Sequence, residues 1–72
     1  MLTLEFRKRL KMLRERKKLK RRVLSELCGL ASTAIKRYEE GECEPTLHSL
    51  IAIADFFDVS VDYLIGKTDR ER

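Results

Sequence analysis

The sequence predicts an all-α fold of five short helices, and three observations predict it. Only three glycines and one proline occur in 72 residues, fewer than a turn-rich sheet protein needs. Apolar residues recur at helical spacing, as Phe6, Leu10 and Leu13 do at i, i+4 and i+7. Hydroxyl residues and glycines stand where short helices would start and stop. A chain of this length makes one small domain. With 43% apolar and 39% charged residues, it has a thin core under a charged shell and little room for a deep enzyme cleft.

The first helix is predicted over about 4–17. Thr3 is a plausible N-cap, and Glu5 stands in the first turn, where the helix dipole favours an anion. Phe6, Leu10 and Leu13 form its apolar stripe, and cations fill the other faces. The second helix is predicted over about 21–28, with Val23, Leu24, Leu27 and Cys28 at helical spacing. Gly29 ends it, as glycine does where the chain turns left-handed past a helix. The third is predicted over about 32–40, with Ile35 and Tyr38 inward and Gly41 closing it. The connection is only Gly29, Leu30 and Ala31. Two short helices joined that tightly cross steeply around Leu30, which is a helix-turn-helix. Thr46 caps the fourth, over about 47–57, with Leu47, Leu50, Ile51, Ala54 and Phe57 inward. Asp58 and Val59 break it. Ser60 caps the fifth, over about 61–65, which carries Asp62 in its first turn and ends at Gly66. Residues 67–72 read as a frayed tail.

Charge is distributed unevenly. Residues 1–22 carry eleven cations and two acids, a net of +9, while residues 23–72 carry five cations and ten acids, a net of −5. Such asymmetry fits a polyanionic partner, or a solvated basic helix with none. Cys28 and Cys43 make no disulfide framework, and with His48 they fit no common zinc spacing, so no metal site is predicted. The first ten residues contain no signal-peptide core. The longest uncharged apolar run, at 50–54, is far short of a membrane span. Cytoplasmic residence with reduced thiols is the expectation, nucleoid-associated if the partner is DNA. His48, the only histidine, has no obvious nucleophile or base beside it, and no Gly-rich phosphate loop appears, so no enzyme is predicted.

The third helix carries the most chemistry. Its outward residues are Ser32, Thr33, Lys36 and Arg37, with the small ones at the N-terminal tip. A helix presented tip-first fits a DNA major groove, where short hydroxyl side chains allow close approach. Arg37 has the fork geometry for guanine O6 and N7. The same four residues would also make an ordinary polar helix face.

The stretch LSELCGLASTAIKRYEEGECEPTLHSLIAIADFFDVSVDYLIG, within a match running from about residue 10 to 68, resembles the phage-repressor-like helix-turn-helix family, also called Cro-like or XRE. An I-x-R-Y-E-x-G segment, E-P-T-L, a helix and D-V-S-V-D-Y-L-I-G occur in the family's order. The resemblance implies a five-helix DNA-binding domain over 1–68, with 69–72 a disordered tail or the start of a linker. It implies a sequence-specific regulator of transcription, expected to be a repressor, that reads double-stranded DNA with the third helix. Ser32, Thr33, Lys36 and Arg37 would read bases, and Lys20, Arg21, Arg22 and Lys36 would hold phosphates. No cofactor, membrane or small-molecule ligand is implied.

A homodimer is implied through the fifth-helix region, where Phe57, Val59, Tyr63 and Leu64 are candidates, some of which must belong to the core. Arg14 and Glu39 align with a family ion pair that locks the third helix onto the first. Three departures stand out. Lys20 and Arg21 replace the family's Ser or Thr and Gln. Ala31 replaces the usual cap of the third helix, which leaves Ser32 as cap or as base contact. The loop at 40–44 is acidic where the family's is usually basic. That loop keeps a second reading open: a protein-binding module such as an antitoxin or a partner of another regulator.

Overall fold

The computed structural model describes residues 4–72, so the proposed Thr3 cap lies outside the described residues. Five helices follow in order: α1 (Leu4–Arg16), α2 (Arg21–Leu27), α3 (Ala34–Glu39), α4 (Leu47–Phe57) and α5 (Val61–Leu64). Among the described residues there is no strand.

α1 buries Phe6, Leu10 and Leu13 and packs against α3 and α5. Its C-terminus closes where Lys18 turns left-handed at φ 56°. Leu24, Ile35, Ile53 and Leu64 complete the fully enclosed centre of the core, and Tyr38 meets Phe6 edge-on at 6.2 Å between ring centroids. Thr46 caps α4 by accepting a hydrogen bond from the Ser49 N–H at 3.1 Å, and Ser60 caps α5 through the Tyr63 N–H at 3.0 Å. α4 stops at Asp58, which adopts the left-handed region at φ 57°.

Two inward faces differ from the sequence reading. In α4, Leu47 and Ile51 are exposed, and Ile53 is buried instead. In α2, Val23 and Leu27 are exposed, and Ser25 lies beside Leu24 with no accessible surface. The cause is the same in both helices. A buried serine sits inside the apolar stripe: Ser49, whose Oγ accepts from the Tyr38 hydroxyl at 3.0 Å, and Ser25, described below. A polar residue with its partner built in can be buried at little cost. The true stripe is therefore rotated relative to one drawn through apolar residues alone.

The other end of the chain differs too. Where a frayed tail was expected, Arg9 reaches from α1 to the Tyr63 carbonyl (2.7 Å), the Thr68 carbonyl (2.6 Å) and the Asp69 carboxylate (2.9 Å). Its guanidinium also lies 4.4 Å from the centre of the Tyr63 ring. The Ser60 N–H donates to the Glu71 carbonyl at 2.6 Å, and Arg72 pairs with Asp58 at 2.8 Å. Bonds from Arg9 and the Ser60 N–H to the tail, and from Arg72 of the tail to Asp58, hold residues 68–72 against α1 and the α4–α5 turn. Finally, Phe57, Val59, Tyr63 and Leu64, named as dimer candidates, are all core: none exceeds 8% exposure. They close the space between α1, α4 and α5 and offer no surface for pairing.

Candidate nucleic-acid interface

The unit built from α2 and α3 turns at Gly29, whose φ of 73° is open to glycine at no steric cost. The Leu30 N–H returns to the Ser25 carbonyl at 2.8 Å and draws the chain across α2. α3 then begins at Ala34, two residues later than expected. Thr33 occupies the N-cap position without making a side-chain cap bond. Ser32 lies in the preceding turn and, among the described residues, caps no helix, so that expectation is corrected.

The cap is supplied from another helix. The Ser25 hydroxyl donates to the Arg21 carbonyl at 2.9 Å and accepts from the Ile35 N–H at 3.1 Å. One buried oxygen thus satisfies an orphan amide of the first α3 turn and fixes that turn against α2. Among the described residues neither tip hydroxyl has a partner, and both residues are exposed.

The far end of α3 is held by α1. Arg14 grips Glu39 with two bonds, Nε to Oε2 at 2.7 Å and Nη2 to Oε1 at 3.1 Å, and donates from Nη1 to the Leu19 carbonyl at 2.8 Å. The two side chains are 13% and 5% exposed. The Glu39 carboxylate raises the Arg14 pKa, chiefly through this hydrogen bonding. Arg7 adds a bond from Nε to the Glu39 backbone carbonyl at 3.1 Å, satisfying an acceptor that the last turn leaves free. Burial pushes the Cys28 thiol upward and keeps it protonated behind the turn.

Between these anchors lies an exposed face. A groove of about 360 Å³ is lined by Arg21, Arg22, Ser32, Thr33 and Lys36. It brings five of the sequence-predicted residues together. Arg37 is exposed one turn along α3, and Lys20 lies beside Lys11 and Arg21 at a separate polar depression. A positive groove edged by short hydroxyls can bind an anionic backbone and hydrogen-bond to what lies between its strands.

The acidic loop folds back onto this face. Glu40 pairs with Arg21 (3.2 Å) and Lys36 (3.1 Å), and Glu42 stands 3.9 Å from both Lys36 and Arg37. Hydrogen bonds, that from Lys36 first, hold the Glu40 carboxyl below its usual range. Sequence reasoning missed Ser25 and Arg7, and it missed the direction of this loop. Spacing signals neither a serine that bonds across a turn nor an arginine that reaches a distant carbonyl. The loop's approach was open to inference only through Gly41, whose φ of 74° turns the chain back on α3.

Five short helices, with α3 pinned at both ends and its tip exposed, define a helix-turn-helix domain of the phage-repressor arrangement. The chain belongs to the helix-turn-helix family, whose model matches residues 10–64. It is 41% identical over 61 residues to the HTH-type transcriptional regulator YobD of Bacillus subtilis (strain 168), covering 85% of this chain and 54% of that protein. It is 39% identical over 44 residues to the cryptic phage CTXphi transcriptional repressor RstR of Vibrio cholerae, covering 61% of this chain and 39% of RstR. The structure resembles the P22 c2 repressor crystallised with a synthetic operator, with a TM-score of 0.81 and 27% identity, over 92% of this chain and all of that one. The chain spans about half the length of YobD.

Proposed function

We propose that residues 1–68 are the DNA-binding domain of a transcriptional regulator, a repressor in the best-supported reading, with 69–72 a tail or the start of a linker. The observation that carries this is the exposed tip of α3 beside the cationic groove, in a chain similar to a repressor crystallised with its operator. α3 enters the major groove. Ser32, Thr33, Lys36 and Arg37 meet base edges, each good bidentate contact being worth about 1–3 kcal/mol of discrimination. Lys20, Arg21, Arg22 and Lys36 neutralise phosphates, which fixes register and makes affinity depend on salt. The unused hydroxyls of Ser32 and Thr33 support their place among the readers.

One module of this size covers roughly 600–1,000 Å² of DNA, so specific binding favours two copies on an inverted repeat one helical turn apart, about 34–36 Å. Pairing through the α5 region would fall to the half-buried Phe56, Val61 and Ile65, since the four residues first considered are enclosed. Selecting bound sites from a random duplex pool tests the whole reading. An enriched inverted repeat is expected. Anisotropy with random duplex that shows no binding even at low salt would overturn it in favour of a protein partner, the reading that the acidic loop keeps open.

A further inference from the structure

We propose that Glu40 and Glu42 act as built-in counter-anions: they pair with Arg21, Lys36 and Arg37 and lower the affinity of this face for any duplex, matched or random. The inference rests on the DNA-binding reading above. Glu40 bridges two elements, with one carboxylate oxygen toward Arg21 of α2 and the other toward Lys36 of α3. Glu42 lies between Lys36 and Arg37, and its backbone N–H donates to the Arg37 carbonyl at 2.9 Å. The loop is therefore held at the C-terminal end of α3, beside these cations, by its own backbone as well as by side-chain attraction. Three cations against two carboxylates leave one net positive charge there.

Binding to random sequence consists almost wholly of phosphate contacts, and each one involving these cations must displace a carboxylate. Binding to a matched site displaces the same carboxylates but adds base-edge hydrogen bonds. The two glutamates thus weaken both modes by a similar factor in the phosphate term. Removing the carboxylates should therefore raise both affinities by a similar factor. The low position of the Glu40 titration agrees with an anion held by cations through neutral pH.

The test compares the parent with a Glu40→Gln, Glu42→Gln variant on random duplex and on a selected site, across a salt series. A control, Glu44→Gln with Asp55→Asn, removes two charges from carboxylates that form no ion pair among the described residues. Two freed cations should steepen the log–log salt slope on random duplex by about 2, at about 0.9 per phosphate. Random-duplex affinity should rise, and the rise should shrink as salt increases. Affinity for the selected site should rise by a similar factor, while the control shifts both only slightly. A variant that matches the control in slope and in affinity overturns the counter-anion assignment alone. Absence of binding by both parent and variant on every duplex overturns it together with the DNA reading.

Discussion

At the scale of single residues, two buried polar groups govern the domain. Arg14 meets an almost fully covered Glu39, so Arg14→Ala leaves a charge without its partner. Breaking a buried pair this way costs about 3–5 kcal/mol, and urea unfolding should show the loss. A midpoint equal to the parent's would remove the pair from the account of stability. Ser25 is quieter in sequence and comparable in consequence. Ser25→Ala orphans the Ile35 amide, at a cost of about 1–3 kcal/mol, and amide exchange at Ile35 should accelerate before the rest of α3. Glu40 supplies the pH test. Its carboxyl titrates below the usual range, so its pairs exist at and above that range and vanish as pH falls through the lowered value. Carbon-13 titration should place its midpoint below the ordinary glutamate range. A midpoint at or above it would mean that Lys36 and Arg21 do not hold it in solution.

At the scale of elements, the helices were readable from the sequence because their ends are chemical. Gly29, Thr46, Ser60 and Gly66 mark boundaries that the structure places within a residue or two. The faces were less readable. Ser25 and Ser49 look like solvent residues in a stripe analysis, and only their partners across a turn or on another helix justify burying them. The start of α3 was missed for a related reason: its cap comes from a neighbouring helix, so no local cap residue marks it. The two glycines that end α2 and α5 should respond differently to a methyl group. Gly29→Ala meets open space and costs only the left-handed strain, about 1–2 kcal/mol. Gly66→Ala adds a Cβ 2.8 Å from that of Glu5, so its loss should be larger. Thermal melts of the two variants check the order, since about 1 kcal/mol moves the midpoint of a domain this small by roughly 4–8 °C. An equal shift would mean that α1 yields to the intrusion.

At the scale of the whole molecule, α3 is six residues long and could not persist alone. α2 fixes its first turn through Ser25, and α1 fixes its last through Arg7 and Arg14. The site itself was only half legible in sequence. The exposed quartet and its basic neighbours could be named from periodicity and charge. That the acidic loop covers some of those cations depends on a backbone turn no composition displays. The clamping of α3 separates two kinds of positions. None of the side chains that hold it is among those that face outward at Ser32, Thr33, Lys36 and Arg37. Exchanging the outward set should alter unfolding free energy by no more than about 0.5 kcal/mol per position. A lineage carrying this scaffold can therefore change what it recognises by small steps, each remaining foldable, while the frame around the helix stays the same.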